Sequence, residues 1–142
     1  RFIRDTWPGK LVVKGILDPQ DARLAADAGC DGIIVSNHGG RQLDGVSSPL
    51  QVLPDIRAAV PDLVVMFDSG VRRGTDVLKA IMLGADFVFV GRPFLYAAAV
   101  YGEAGVTHAM TLLRDEVDRD MALLGITTPM AARDFAPAPL PG

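Results

Sequence analysis

The stretch Gly32-Ile33-Ile34-Val35-Ser36-Asn37-His38-Gly39-Gly40-Arg41 decides the fold class of this chain. Its first part is an apolar run, which is typical of a strand buried on both faces of a parallel sheet. Its second part places an imidazole and a guanidinium three residues apart, directly after that strand. Polar groups in this position are typical of the ligand-binding end of an α/β sheet. The sequence therefore predicts an α/β protein with its chemistry at the carboxyl end of the strands.

The same order of apolar run, polar loop and amphipathic helix occurs four times along the chain. Helices that begin at Asp18-Pro19 and Ser48-Pro49 are predicted by the capping residue and by proline at the first helical position. We expect Thr75 to cap the next helix, and a final helix to run from about Glu103 to Leu124. Strands are predicted over residues 11–15, 32–37, 63–67 and 87–90.

Two architectures fit four β-α units: a small doubly wound sheet, or half of a (β/α)₈ barrel. The barrel is favoured because all four strands carry distinctive polar residues after their carboxyl ends. A full barrel needs about 250 residues, so we expect the C-terminal half of a TIM (β/α)₈ barrel. We assign residues 1–135 to this half-barrel and residues 136–142 to a proline-rich tail, extended or disordered. The first residues carry neither an initiator Met nor a signal-peptide pattern, so we expect the chain to begin within a longer protein.

Composition excludes several classes of protein. The chain has 142 residues and a formal net charge of −3, without the basic stripe expected of a nucleic-acid-binding protein. The single cysteine, Cys30, excludes an intrachain disulfide and is expected to be buried. With one cysteine and two distant histidines, the sequence predicts no metal site. No apolar run approaches the ~20 residues that span a bilayer.

The run Ser36-Asn37-His38-Gly39-Gly40-Arg41-Gln42-Leu43-Asp44 resembles the signature of the FMN-dependent α-hydroxy-acid-oxidising enzymes. Three further stretches match that family in the same order: Val13–Ile16, Asp68–Arg72 and Gly91-Arg92. The resemblance extends from Trp7 to about Arg133. It implies a TIM barrel with FMN at its carboxyl mouth.

The resemblance implies a role for each matched residue. His38 is expected to be the active-site base, and Arg41 to bind the substrate carboxylate with its planar fork of donors. Lys14 is expected beside the flavin, where an ammonium stabilises the negative charge that reduction creates. Ser36 is expected to contact the flavin. The residues expected to hold the ribityl chain and phosphate are Asp68, Ser69, Gly70, Val71, Arg72, Gly91 and Arg92.

The implied reaction is the oxidation of an L-2-hydroxy acid, of the lactate or mandelate kind, to the 2-oxo acid with reduction of FMN. His38 takes a proton either from the α-carbon or from the hydroxyl as hydride leaves, and the sequence leaves both routes open. The alternatives are another FMN- or phosphate-binding TIM barrel, and an inactive FMN-binding half-barrel.

The resemblance also implies partners. We expect a companion N-terminal half of the same barrel, and a homo-oligomer, with a tetramer as one option. Oxygen, a quinone or a cytochrome remain open as electron acceptor. We expect a cytoplasmic protein, with peripheral attachment to the inner face of the plasma membrane as a second option. Outside the matched stretches, Arg73 is expected to pair with Asp76 at a helix start, with reach to the phosphate as the alternative, and His108 to be a solvent-facing or core histidine.

Overall fold

A computed structural model describes residues 1–135, and the predicted tail at residues 136–142 lies outside the described residues. Each β-α unit predicted from the sequence is present, with strand ends displaced by one or two residues. Short 3₁₀ turns occupy His38–Gly40 and Pro129–Asp134. The regular elements are α1 (Phe2–Thr6), β1 (Val12–Ile16), α2 (Pro19–Asp27), β2 (Gly32–Val35), α3 (Pro49–Ala59), β3 (Val64–Phe67), α4 (Gly74–Met82), β4 (Phe87–Val88) and α5 (Arg92–Leu124).

The four strands form one parallel sheet in the order β1-β2-β3-β4. Lys14 pairs with Ile34 across the first strand pair, and Ile34 pairs with Met66 across the second. A doubly wound sheet reverses its strand order at a switch point, and this sheet does not. The sequential order is that of consecutive strands of a (β/α)₈ barrel, so the doubly wound alternative is wrong.

Helices α2, α3 and α4 cover one face of the sheet. Ile33, Val35 and Val65 point to that side and are fully buried. They form a single core with apolar side chains of the three helices. Burying an aliphatic side chain contributes roughly 1.5–3 kcal/mol, so this layer holds the unit together. The helix residues in that core include Ala22, Ala25, Leu53, Ile56 and Ala80.

The opposite face of the sheet is apolar and exposed, and we call it the open sheet face. Side chains along a strand alternate between the two faces of a sheet. On this face Val12 is 40% exposed, Val64 46% and Phe87 55%, although apolar strand residues are usually buried. Phe89, just past β4, packs against Phe87 with ring centroids 4.9 Å apart. No helix among residues 1–135 covers this face. In a closed barrel the same face would point to the interior.

Helix α4 begins differently from the prediction that Thr75 caps it. The carboxylate of Asp76 accepts the backbone N–H groups of Arg72 and Arg73, each at 2.9 Å. Glu116, from α5, accepts the N–H of Gly74 at 2.8 Å. The Thr75 prediction is therefore wrong, because the helix begins at Gly74 with Arg73 at the N-cap, and the amides of Arg73 and Gly74 are bound by Asp76 and Glu116.

Helix α5 is two helices joined at a break. Tyr101 and Gly102 have non-helical backbone angles, with φ of −137° and 56°. The break agrees with the sequence analysis, which expects the final helix to begin at about Glu103. Gly125 ends the second helix in a left-handed conformation.

At the amino end of the strands, two carboxylates are fixed in the same way. Asp31 accepts the N–H of Leu11 at 2.8 Å and pairs with Arg4 at 3.0 Å. We call these three residues the Asp31 staple. Its guanidinium also reaches the carbonyls of Trp7 and Gly9, so it closes the loop that precedes β1.

The same arrangement recurs two strands later. Asp86 accepts the N–H of Val65 at 2.8 Å and pairs with Arg57 at 3.0 Å. We call these three residues the Asp86 staple. Arg57 also donates to the carbonyls of Val60, Pro61 and Leu63, again in the loop before a strand.

The staples lower the pKa values of their carboxylates. Hydrogen bonds from Lys10 and from the Leu11 amide bring the pKa of Asp31 to about 2, against its partial burial. Burial would raise the pKa of Asp86, but the Val65 amide and the guanidinium groups beside it hold that pKa below its usual value. Both carboxylates are therefore charged at neutral pH and remain so well into acid.

Two remaining expectations concern the whole described chain. Cys30 is buried, as predicted. In the part of the chain that the structure covers, no helix combines the length and the apolar character needed to cross a membrane.

Candidate active site

A cleft of about 350 Å³ opens at the carboxyl end of the strands. Every β-α loop of the sheet except the one after β1 reaches it, and β1 itself supplies Lys14. Ten of the eleven residues that the sequence predicts for the site line it. They are Lys14, His38, Arg41, Asp68, Ser69, Gly70, Val71, Arg72, Gly91 and Arg92.

The remaining predicted residue, Ser36, lies under the cleft and joins a ring of four side chains. Lys14 Nζ lies 2.8 Å from Ser36 Oγ and 2.6 Å from Asp68 Oδ2. The Ser69 hydroxyl donates to Asp68 Oδ1 at 2.8 Å, and its oxygen lies 3.4 Å from Ser36 Oγ. Ser36 is fully buried, so this polar side chain needs the partners that the ring gives it.

The ring keeps Asp68 ionised. Partial burial would raise the pKa of this carboxyl, but hydrogen bonds from Lys14, Ser36 and Ser69, with the charge of Lys14, hold the pKa below its ordinary value. The Lys14 side chain remains 41% exposed and faces the cleft. Asp68 and Ser36 take two of the three N–H donors of this ammonium, so one donor is left for a ligand in the cleft.

A tight turn presents His38 to the cleft. His38 has a left-handed backbone, with φ of 56°, and its N–H donates to Ser36 Oγ at 3.1 Å. The next amide, of Gly39, donates to Asn37 Oδ1 at 2.9 Å and to Ser69 Oγ at 3.1 Å. The imidazole lies over Gly15, where an added Cβ would come within 2.7 Å of His38 Nε2. Glycine at position 15 therefore provides the space that the ring occupies.

Two arginines flank this turn. Arg41 is exposed and borders the cleft close to His38 in sequence. Arg92, at the start of α5, donates from Nη2 to the carbonyl of Gly39 at 3.1 Å. Since a guanidinium has five donors, this single bond leaves most of Arg92 available to a ligand.

The loops after β3 and β4 form a cradle for an anion. The amides of Gly70, Val71 and Gly91 donate to no backbone carbonyl within residues 1–135. Space around the α-carbons of Gly70 and Gly91 is open, because an added Cβ would meet no atom within 4 Å. Amides in such a cradle, beside Arg72 and Arg92, favour a phosphate.

The start of α4 does not belong to that cradle. Its first amides are taken by Asp76 and Glu116, and Arg73 pairs with Glu116 at 2.7 Å. The hydrogen bond from Gly74, followed by the charge of Arg73, lowers the pKa of Glu116. The expectation that Arg73 pairs with the Asp76 side chain is therefore wrong, and its guanidinium is engaged away from the cradle.

The structure adds residues that the sequence analysis missed. The Asn37 side-chain oxygen shapes the turn by accepting a hydrogen bond from the backbone N–H of Gly39. Asparagine commonly accepts such a bond from the residue two positions further along the chain. That signal was present in the sequence. Phe89, Val90, Pro93 and Leu95 form an apolar wall of the cleft. His108 is exposed on α5 and takes no part in the site.

The residues present fit an anionic cofactor with an aromatic ring system. The cradle offers amides and two guanidiniums to a phosphate, the apolar wall offers a surface to a ring, and Lys14 offers a positive charge that Asp68 and Ser36 hold at the cleft. Within residues 1–135, no group of three or more His, Cys, Asp or Glu side chains could hold a metal ion.

Comparison with known proteins identifies relatives of this chain. Residues 1–135 match the family described as FMN-dependent dehydrogenase. An L-lactate dehydrogenase of Bartonella tribocorum is 55% identical over 129 residues, covering 90% of this chain and 34% of that protein. An L-lactate dehydrogenase of Caulobacter vibrioides is 54% identical over 127 residues, covering 89% of this chain and 33% of that protein. The chain thus spans about a third of the length of the curated relatives it matches.

Solved structures give the same result. A mandelate oxidase in complex with 3,3-difluoro-2-hydroxy-3-phenylpropionic acid superposes with a TM-score of 0.89 at 48% identity, covering 93% of this chain and 40% of that one. A mandelate oxidase variant with the monooxide FMN adduct gives the same TM-score and identity, covering 42% of that chain. The predicted fold class, a partial (β/α)₈ barrel, and the predicted family are confirmed.

Proposed function

Because this chain belongs to the family of FMN-dependent dehydrogenases, we propose that it forms the cofactor- and substrate-binding part of an enzyme that oxidises a small L-2-hydroxy acid to the 2-oxo acid. One observation supports this most strongly. A candidate base, a candidate carboxylate clamp, an ammonium and an anion cradle, carried by four different strands or loops, converge on one cleft. Lactate and mandelate define the substrate class, since relatives with these names are identical to the chain at about half of the aligned positions.

Arg41 and His38 act on the substrate. Arg41 is exposed at the cleft, so its guanidinium can bind the carboxylate with two parallel hydrogen bonds. The carboxylate then fixes the α-carbon near His38. The imidazole acts as a general base and accepts one proton, from the α-carbon or from the hydroxyl.

Lys14 and the cradle act on the cofactor. FMN, when bound, accepts the two electrons that no side chain of the chain can take. Lys14 supplies a positive charge where negative charge develops, and Asp68 and Ser36 keep its ammonium pointed toward the cleft. Ser69, Gly70, Val71 and Gly91 offer backbone donors, and Arg72 and Arg92 offer charge, to the ribityl chain and the phosphate.

We further propose that a companion N-terminal segment of the same barrel covers the open sheet face. Val64 and Phe87 are half exposed there, and an apolar sheet face of this kind is stable when another layer buries it. The relatives are about three times as long as the matched region, which leaves ample chain for such a segment. The proposal has three further parts. The protein forms a homo-oligomer, and it lies in the cytoplasm, with peripheral attachment to the membrane as the alternative. Its electron acceptor is oxygen, a quinone or a cytochrome.

Anaerobic mixing tests this function directly. The intact protein, purified with its flavin, is mixed with L-lactate and separately with L-mandelate while the flavin absorbance is recorded. Bleaching by either acid supports the proposal, and the faster acid identifies the preferred side chain. Readmission of air then separates an oxidase, which recovers its colour rapidly, from a dehydrogenase.

Two results would contradict it. A protein that purifies without flavin and does not take up added FMN is not a flavoenzyme. A bound flavin that neither these acids nor bulkier 2-hydroxy acids bleach would favour another kind of FMN barrel, or an inactive FMN-binding half-barrel.

A further inference from the structure

Two residues other than glycine have left-handed backbones among residues 1–135, and both lie at the cleft. His38 has φ of 56° and Ser69 has φ of 81°. A side chain strains this conformation, which glycine adopts freely. The turn that presents the base explains the strain at His38. The anion cradle does not explain it at Ser69, because glycine would offer the same amide without the strain.

The Ser69 hydroxyl makes contacts that glycine could not. It accepts the N–H of Gly39 at 3.1 Å and donates to Asp68 Oδ1 at 2.8 Å. Its oxygen also lies 3.4 Å from Ser36 Oγ, the atom that holds Lys14 and the His38 amide. One hydroxyl thus connects the turn that carries His38 with the carboxylate that holds Lys14.

We propose that Ser69 is a positioning residue that fixes His38 relative to Lys14 while a 2-hydroxy acid gives up two protons and two electrons, one proton to His38 and the other proton with both electrons to FMN. This inference rests on the proposed function. The bond to Gly39 anchors the backbone next to His38, and the bond to Asp68 anchors the partner of Lys14. The Ser69 hydroxyl oxygen, in the loop after β3, makes both hydrogen bonds. It therefore holds the His38 imidazole and the Lys14 ammonium at a constant separation.

Geometry of this kind affects the reaction more than the binding. A misplacement of about 1 Å can slow an enzymatic step up to about a hundredfold. Arg41 lies beyond the anchored amide, so the affinity for a carboxylate should change little. We therefore expect loss of the Ser69 hydroxyl to lower the limiting rate of flavin reduction about tenfold, while substrate affinity stays within about twofold.

Two substitutions in the intact protein separate the hydroxyl from the backbone strain. Ser69→Ala removes the hydroxyl and keeps the strain, whereas Ser69→Gly removes both, and Gly suits the left-handed backbone. The matched control is Ser48→Ala, which removes an exposed hydroxyl that makes no capping hydrogen bond at the start of α3.

Three quantities are measured for each variant: the limiting rate of flavin reduction, the dissociation constant of 2-hydroxy-2-methylpropanoate, and hydrogen exchange at the Gly39 amide. The chosen acid keeps the carboxylate and hydroxyl but has no α-hydrogen to lose. The Gly39 amide also donates to Asn37 Oδ1 at 2.9 Å, so the change in its exchange rate between wild type and variant reports on the Ser69 bond, without any reaction. We expect both Ser69 variants to be slow, to bind the inert acid normally and to exchange Gly39 faster, with Ser48→Ala unchanged in all three.

A Ser69→Gly variant that reduces its flavin at the wild-type rate would overturn the positioning role, as would unchanged exchange at Gly39 in both variants. A purely structural role would instead slow Ser69→Ala and spare Ser69→Gly. Failure of the proposed function is distinguishable, since in that case the wild-type flavin itself is not bleached by the 2-hydroxy acid.

Discussion

Both ends of the sheet contain aspartate carboxylates paired with basic side chains, but the pairs serve different purposes at the two ends. At the amino end, Asp31 and Asp86 each accept a backbone N–H at the start of the neighbouring strand, from the residue just before β1 and from within β3, and each pairs with an arginine. At the carboxyl end, the donors to Asp68 are side chains, chiefly Lys14 and Ser69. A bond to a strand amide holds the fold, whereas a bond to a flexible ammonium can be shared with a ligand. The backbone amide distinguishes the two kinds of carboxylate.

The largest expected effect tests the carboxyl end. His38→Gln keeps a polar side chain of similar size but removes the base, so the rate of flavin reduction should fall about 1,000-fold. The free energy of unfolding should change by less than about 0.5 kcal/mol, because His38 is exposed. Rapid-mixing absorbance and urea unfolding measure the two quantities.

His108→Gln is the matched control, since this second histidine is exposed on α5 and does not line the cleft. It should leave both quantities unchanged. Fast flavin reduction in His38→Gln would remove the base from the proposed mechanism, and a large loss of stability would show that the two ends are not separate in role.

The next effect tests the amino end. Arg57→Ala removes the guanidinium that holds Asp86 and the carbonyls before β3, so the free energy of unfolding should fall by about 3 kcal/mol. The limiting rate of flavin reduction, measured on the folded fraction, should not change.

Arg114→Ala is the control for loss of a guanidinium. Its pairing with the adjacent Asp115 is exposed, and its removal should cost less than about 0.5 kcal/mol. Equal effects of Arg57→Ala and Arg114→Ala in urea unfolding would mean that the staples do not stabilise the sheet.

A third test compares two lysines, one at each end. Lys14→Met should weaken FMN binding about tenfold, which corresponds to about 1.4 kcal/mol, because it removes the ammonium that faces the cleft. Lys10→Met removes an exposed ammonium that pairs with Asp31 at 2.8 Å, and FMN binding should stay the same. Fluorescence titration of the apoprotein with FMN gives both constants, and equal losses would contradict the division of roles.

The smallest effect is the response to acid. Because the folded pKa values of Asp31 and Asp86 are lowered, their stabilisation is complete above the ordinary carboxyl pKa of about 4 and is lost as the pH falls toward the folded value. For Asp31 that window runs from about 4 down to about 2. Thermal unfolding of wild type and Asp31→Asn should differ most above pH 5 and converge as the pH approaches about 2, whereas a constant difference would contradict the pKa assignment.

The sequence was sufficient for the carboxyl end because of a local rule. Strand ends can be located from apolar runs, and parallel strands bring their carboxyl ends to one edge, so the sequence alone predicts that Lys14, His38 and Asp68 lie together. Their roles stay predictions until the variants are measured. The backbone conformation of Ser69 was not predictable, because a non-glycine residue in that region depends on tertiary contacts.

The amino end was missed for a different reason. Arg4 and Asp31 are 27 residues apart, and Arg57 and Asp86 are 29 apart, so no local pattern couples them. The capping residue of α4 was predicted wrongly for the same reason, because a contact distant in sequence is involved. Glu116, 42 residues away, binds the Gly74 amide. Capping rules consider only neighbours in sequence, and here the neighbour Asp76 shares the amides with the distant Glu116.

The staples also bear on how the chain emerges during synthesis. Each closes within one pair of consecutive β-α units, so the Asp31 staple can form on the ribosome as soon as Asp31 has left the exit tunnel, before β3 exists. Domains fold from the amino end as they are made, and a short loop closes at small entropic cost. Arg133 then adds a second guanidinium to Asp86 from 47 residues further on. We therefore expect the described elements to assemble in chain order, with the Asp31 staple first, the Asp86 staple second and the bond from Arg133 last.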